Sequence, residues 1–150
     1  MVGFARKRTV MQATETLSIP GTLAGVREAI GAFERFVRTH AVARGAAWRM
    51  QLALDEILSN VVRHAQPGEG AALEMIFSLD EGMVGVEIVD AAGAFNPLLA
   101  PAPETSAPLQ DRQPGGLGIA LVRRLMDETL YERRDDRNHF VMRCGRYADR

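Results

Sequence analysis

The chain has 150 residues, 47% hydrophobic and 25% charged, which is typical of one globular domain with a substantial core. Eighteen basic and nineteen acidic side chains leave a formal net charge of −1, so the sequence lacks the overall positive charge that favours binding to nucleic acid. The single cysteine excludes an internal disulfide, and the apolar runs are too short to span a membrane. We therefore expect a cytoplasmic protein that binds neither nucleic acid directly nor a membrane.

The first part of the chain predicts a strand followed by a helix. Residues 1–12 contain a basic cluster that no apolar run follows, so we expect a flexible segment rather than a signal peptide. The folded domain is predicted over residues 13–146. Residues 13–20 alternate as a strand does. Thr22 is a suitable N-cap for a helix whose apolar residues, from Leu23 onward, recur at helical spacing.

The second predicted helix, which includes residues 52–65, carries polar residues at positions that allow two interpretations. Glu56 and Asn60 are four residues apart and lie opposite the apolar stripe together with Arg63. A solvated helix face explains this pattern, and so does a functional surface that presents a carboxylate, an amide and a cation. The apolar stripe consists of Leu54, Ile57, Leu58, Val61 and Ala65.

The second half of the chain predicts two hairpins separated by a long loop and a helix. Residues 72–79 and 83–90 form the first hairpin pattern. Residues 91–115 hold five of the seven prolines and predict a loop, which in a compact domain is often functional. A helix is predicted from Gly116, and the last hairpin turns near Asp135 and Asp136. This order predicts an α/β two-layer sandwich, a mixed, mainly antiparallel sheet of about five strands covered on one face by about three helices.

Two further features are compatible with a nucleotide site, although each has an ordinary structural explanation. Asp90 ends an apolar strand just before small residues, so its carboxylate is suited to accept a hydrogen bond from an amino group on a flat ring. An aspartate that begins a turn looks the same. Gly115, Gly116 and Gly118 surround a predicted helix N-terminus, which is suited to bind phosphate. A glycine hinge is the alternative.

Together, in this order, the motifs resemble a known family. The stretches DEILSNVVRHA, VDAAGAFNP and GGLGIALVRRLMDE resemble the three nucleotide-binding boxes of the histidine-kinase-like ATPases. Within that superfamily the chain is most similar to the bacterial anti-sigma-factor serine/threonine kinases. The resemblance implies that Asn60 coordinates Mg²⁺ on ATP, that Glu56 is the general base, and that Asp90 reads adenine. It also implies that the proline-rich loop closes as a lid over ATP.

Further nucleotide contacts are implied by motif position alone. They are Arg63, His64, Ala92, Gly93, Phe95, Gly115, Gly116, Leu117 and Gly118. Ala92 stands where the family usually has glycine, and Val141 is the nearest match in the last strand to a family threonine that lies near the adenine contact.

The resemblance implies a kinase that phosphorylates a small STAS-type antagonist, sequesters a sigma factor or an equivalent regulator, and forms a homodimer. An alternative is a partner-sequestering module of the same fold with weak or no catalysis. The ATPase part of a histidine kinase and a simple ATP hydrolase are less consistent, because the sequence has no matching phosphoacceptor or transducer region.

Overall fold

The computed structural model describes residues 9–65, 68–99 and 116–147. It contains five strands and three helices. In chain order these are β1 (Met11–Gly21), α1 (Leu23–Thr39), α2 (Arg44–Asn60), a π-helical turn (Val61–Ala65), β2 (Gly68–Asp80), β3 (Met83–Asp90), a 3₁₀ turn (Pro97–Leu99), α3 (Gly116–Leu125), β4 (Glu128–Arg134) and β5 (Arg137–Gly145).

The five strands form one sheet in the order β1-β2-β3-β5-β4. Every neighbouring pair is antiparallel, so the predicted mixed sheet is purely antiparallel within the described residues. The last hairpin turns at Asp135 and Asp136, which both have positive φ, as the predicted turn position requires. Because β5 lies between β3 and β4, its residues are opposite the end of β3, and Asp90 pairs with Asn138.

The helices pack on one face of the sheet around a continuous hydrophobic core. The core phenylalanines are in contact, with Phe33 and Phe77 ring centroids 5.4 Å apart in an edge-to-face arrangement. The predicted N-cap is confirmed, because Thr22 Oγ1 accepts a hydrogen bond from the Gly25 amide at 3.2 Å. The inward position implied for Leu23 is wrong, since it is 54% exposed; Phe36, on the sheet-facing side, is buried instead.

The second helix differs in an informative way from the continuous helix that was predicted. Its regular part ends at Asn60, and the next turn, Val61–Ala65, is π-helical. π-Helical turns are rare and occur frequently at functional sites, because the extra residue in the turn redirects the side chains around it. Asn60 is only 4% exposed, so it does not belong to a solvated helix face.

The first strand begins at Met11, so residues 11–12, predicted to be part of a flexible segment, belong to the sheet. Residues 1–8 lie outside the described part of the chain. No helix of the described residues is long and apolar enough to cross a membrane.

Candidate functional site

Two contacts bring the three sequence motifs together at one end of the sheet. Glu56 in α2 lies against Gly118 in the first turn of α3. His64, in the π-helical turn after α2, stacks on Phe95, which follows β3, with ring centroids 5.9 Å apart and an interplanar angle of 30°. The segments with Glu56 and Asn60, with Asp90, and with the glycines therefore surround one region.

The contact between Glu56 and Gly118 leaves no space for a side chain at residue 118. A Cβ atom built on Gly118 would overlap Glu56 Oε2 and lie 3.1 Å from Glu56 Cδ. Glu56 is half-buried, and its carboxylate faces the N-terminal turn of α3. Amide groups that lack helical partners point out of such a turn and attract negative charge. Glu56, a candidate base, therefore lies beside a candidate phosphate-binding turn.

Asn60 is the candidate metal ligand of the site, four residues after Glu56. It is 4% exposed, and its carboxamide makes no hydrogen bond to any other group of the described residues. The carboxamide atoms are not among the fully enclosed polar atoms that lack a partner in the described residues, so they remain accessible to a polar ligand. No cluster of three or more His, Cys, Asp or Glu side chains suited to a metal occurs in the described residues. A single amide ligand fits Mg²⁺, which proteins often hold through one or two side chains plus substrate phosphates.

Asp90 presents one carboxylate oxygen that has no hydrogen-bonding partner within the described residues. Its Oδ1 accepts hydrogen bonds from the Ala92 amide and from Asn138 Nδ2, both at 2.9 Å. Asp90 is 4% exposed, so burial and two donors fix the carboxylate in place. Its Oδ2 is therefore suited to accept a hydrogen bond from an exocyclic amino group, such as that of adenine.

The two departures from the family pattern have different consequences. Ala92 does not adopt positive φ, so its backbone conformation does not require the glycine that the family usually has there. The match of Val141 to the family threonine is wrong. The register of β3 and β5 pairs Val141 with Glu87 and Asp90 with Asn138. Because side chains alternate between the two faces of a strand, Val141 lies on the opposite face of the sheet from Asp90.

Three residues of the last hairpin, all missed by the sequence analysis, support this end of the site. Asn138 Oδ1 accepts hydrogen bonds from the Phe95 amide at 3.2 Å and from the Tyr131 hydroxyl at 2.6 Å. Asn138 Nδ2 also donates to the Gly93 carbonyl at 3.0 Å, and Arg133 Nη1 donates to the Ala92 carbonyl at 2.7 Å. The sequence signal was the hairpin itself, which places Asn138 opposite Arg133, but nothing in the sequence shows that β5 lies beside β3.

The remaining predicted nucleotide contacts differ in their exposure and in whether the structure describes them. Arg63 is exposed, and within the described residues its side chain has no ion pair or hydrogen bond. Gly93 is exposed, and a Cβ there would meet nothing within 4 Å, so a ligand has space to approach. Gly116 is the first residue of α3. Gly115, the Leu117 side chain and the predicted lid beyond residue 99 lie outside what the structure describes.

Two other features of the molecule are separate from this site. A groove of about 510 Å³ lies between α1 and α2, and its lining includes Ile30, Trp48 and Asp55 but none of the candidate site residues. Cys144 is buried in β5, and burial raises the pKa of its thiol, although a hydrogen bond with Arg49 acts in the opposite direction. Cys144 is therefore a structural thiol rather than a nucleophile.

Comparison with known proteins agrees with this arrangement. Residues 19–144 match the model of a histidine kinase-like ATPase domain. The chain is 32% identical over 130 residues to the serine/threonine-protein kinase BtrW of Bordetella bronchiseptica, which covers 86% of this chain and 92% of BtrW. It is 34% identical over 84 residues to the serine-protein kinase RsbW of Halalkalibacterium halodurans, covering 53% of this chain and 51% of that kinase.

Solved structures share the fold at lower identity. A Mycobacterium tuberculosis protein with RsbU and RsbW domains matches with a TM-score of 0.63 at 12% identity, over 91% of this chain and 35% of that chain. The SiaB–SiaC complex of Pseudomonas aeruginosa matches with a TM-score of 0.56 at 17% identity, over 93% of this chain and 92% of the matched chain. The resemblance found in the sequence is thereby confirmed, and the chain belongs to the histidine kinase-like ATPase family, among its small serine/threonine-protein kinases.

Proposed function

We propose that this chain is a protein kinase that transfers phosphate from ATP to a serine or threonine hydroxyl of a small antagonist protein. The observation that carries the proposal is the position of the Glu56 carboxylate against the first turn of α3, four residues before the buried Asn60. Phosphoryl transfer needs neutralised phosphates, a positioned acceptor hydroxyl and a group that receives its proton. These residues are suited to supply those functions.

In this proposal Glu56 is the general base. The acceptor hydroxyl approaches the carboxylate, its proton moves to a carboxylate oxygen, and the hydroxyl oxygen attacks the terminal phosphorus as the bond to the ADP oxygen breaks. The backbone amides of Gly116 and Gly118, at the start of α3, are suited to hold phosphate oxygens. Asn60 would hold Mg²⁺, which when bound neutralises phosphate charge.

The base-binding part of the site is assigned to Asp90 and the turn that follows it. Asp90 Oδ2 would accept a hydrogen bond from the amino group of adenine, and the open space at Gly93 would allow the ring to approach the backbone. His64 and Phe95 form a stacked pair beside this region and would shield the bound nucleotide from water.

The proposed partners rest on the family resemblance of the sequence motifs. We assign a STAS-type antagonist as the phosphate acceptor, a sigma factor or equivalent regulator as the sequestered protein, and a homodimer as the working state. The similarity to the serine/threonine-protein kinase BtrW supports a serine or threonine hydroxyl as the acceptor, and the matched fold in the SiaB–SiaC complex is compatible with binding to another protein.

A nucleotide titration tests the proposed pocket. ATP is titrated into the wild type, Asn60→Ala and Asp90→Asn, each with and without Mg²⁺. We expect Mg²⁺ to strengthen ATP binding to the wild type and Asn60→Ala to lose that increase in affinity. Asp90→Asn should bind ATP about tenfold or more weakly, because the substitution replaces one carboxylate oxygen, an acceptor, by an NH₂ group, a donor. Gln51→Ala is the control, since Gln51 is an amide of α2 that instead donates to Glu34. If neither substitution weakens binding and Mg²⁺ has no effect, the pocket assignment is wrong.

A further inference from the structure

The Asn138 carboxamide uses its whole hydrogen-bonding capacity around the end of β3. Its Nδ2 donates to Asp90 Oδ1 at 2.9 Å and to the Gly93 carbonyl at 3.0 Å, and its Oδ1 accepts from the Phe95 amide and the Tyr131 hydroxyl. An N–H only donates and a carbonyl only accepts, so the Phe95 and Gly93 bonds fix which end of the amide is which. Asn138 is 3% exposed, so water does not compete for these bonds.

This arrangement controls what the Asp90 carboxylate offers to a ligand. Oδ1 receives one hydrogen bond from the Ala92 amide and a second from Asn138, so both of its in-plane acceptor positions are occupied. Oδ2 alone remains for a ligand. A carboxylate restricted in this way matches a base edge with one amino donor, whereas two free oxygens would also match the adjacent N1–H and N2–H donors of guanine.

We propose that Asn138, held by Tyr131, is a positioning residue that restricts Asp90 to one acceptor oxygen and thereby makes the site prefer a 6-aminopurine over a 6-oxopurine nucleotide. The inference rests on the proposed function, because it assumes that Asp90 reads the base. Asn138 touches Asp90 and the 93–95 turn, so it acts through them and not on the reacting atoms. The sequence motifs assign no role to Asn138 or to Tyr131.

The test compares the affinities for ATP and GTP in the folded 150-residue chain. Asn138→Asp keeps an acceptor for the Phe95 amide and the Tyr131 hydroxyl. In its ionised form it removes both donations and places a second negative charge beside Asp90, so Asp90 loses one of its two fixed bonds. We expect the ratio of the GTP to the ATP dissociation constant to fall about tenfold or more. The KM for ATP should rise while kcat at saturating ATP stays within about twofold, because the phosphate end of the site is unchanged.

Two further variants make the result decisive. Tyr131→Phe removes only the hydroxyl that holds the amide, so the ratio should fall in the same direction by a smaller factor of about two to three; this variant decides the question if Asn138→Asp does not fold. Asp80→Asn is the matched control, since Asp80 is also a buried strand-end aspartate that accepts two turn amides, but at the other end of β3. Its ratio should equal that of the wild type.

The outcomes separate this inference from the function on which it rests. If the wild type does not bind ATP, or binds ATP and GTP equally, the assignment of Asp90 as the base reader is wrong. If the wild type prefers ATP and the folded Asn138 and Tyr131 variants keep the same ratio, the positioning role is refuted while the kinase proposal stands. If Asp80→Asn lowers the ratio of the GTP to the ATP dissociation constant as much as Asn138→Asp does, the positioning role is also refuted, because a general loss of stability would then explain the effect.

Discussion

The contact between Gly118 and Glu56 makes Gly118→Ala the most informative single substitution in the site. A new Cβ would overlap Glu56 Oε2 and lie 3.1 Å from Cδ. Restoring an ordinary contact of about 3.5 Å requires the carboxylate oxygen to retreat by roughly 1 Å or more. The clashing atom is the far end of a flexible side chain, so the fold should accommodate the change while the Glu56 carboxylate, the proposed base, is displaced.

The expected effects on stability and on catalysis therefore differ. Alanine is a better helix former than glycine by up to about 1 kcal/mol, which offsets part of the cost of moving Glu56, so the free energy of unfolding should stay within about 1 kcal/mol of the wild type. A misplacement of about 1 Å can lower a rate about 100-fold, equivalent to roughly 3 kcal/mol in the barrier. The loss should appear in kcat at saturating ATP.

The assay measures transfer of labelled phosphate from ATP to each STAS-domain protein encoded in the same genome, alongside thermal unfolding of each variant. Gly31→Ala in α1 is the matched control, because the same substitution there meets only Arg35 Nη1 at 3.6 Å, an ordinary contact. Its transfer rate should equal that of the wild type. If folded Gly118→Ala transfers phosphate within about twofold of the wild type, the position of Glu56 against α3 does not matter for catalysis and the reasoning fails.

Two further predictions concern sites where the structure shows open space or burial. A Cβ added by Gly93→Ala would meet nothing within 4 Å, so the unfolding temperature should not fall. ATP affinity should drop, because the new methyl group would occupy the space in which the ring approaches the backbone. Unchanged affinity would mean that no ligand approaches Gly93. Because burial raises the pKa of the Cys144 thiol, the folded state keeps its proton to higher pH than the unfolded state. The thiol's contribution to stability is therefore full below the unfolded pKa of about 8.5 and is lost as pH rises through the folded value. The free energy of unfolding should then fall with alkaline pH more for the wild type than for Cys144→Ala, and equal slopes would contradict this.

The hydrophobic pattern was sufficient to predict most of the elements of the fold, because each element depends mainly on local periodicity and turn residues. Thr22 as N-cap and the turn at Asp135 and Asp136 are examples, since capping and positive φ are properties of a few consecutive residues. The π-helical turn after Asn60 had no such local signal. The apolar stripe alone predicts that the α-helix continues through Val61–Ala65, whereas the backbone there is π-helical.

The site was predictable where each residue belongs to a contiguous motif and not where it depends on strand order. Asp90 was predicted as a candidate because it ends an apolar strand before small residues. Asn138 was missed, and Val141 was matched in its place, because the partner of Asp90 is decided by the insertion of β5 between β3 and β4. That arrangement joins residues 48 positions apart, and short-range spacing does not encode it.

The measurement that tests the central claim most directly is phosphate transfer by Glu56→Gln, paired with its affinity for ATP. Glutamine keeps the size of the side chain but removes the basic oxygen. Transfer to the proposed STAS-domain substrate should therefore fall about 100-fold or more while ATP affinity changes little. Asp55→Asn, at the adjacent exposed position of α2 on the groove side, should leave both unchanged. Normal transfer by Glu56→Gln would contradict the role of Glu56 as general base. A wild type that binds partners but transfers no phosphate would contradict the proposal that the chain acts as a protein kinase.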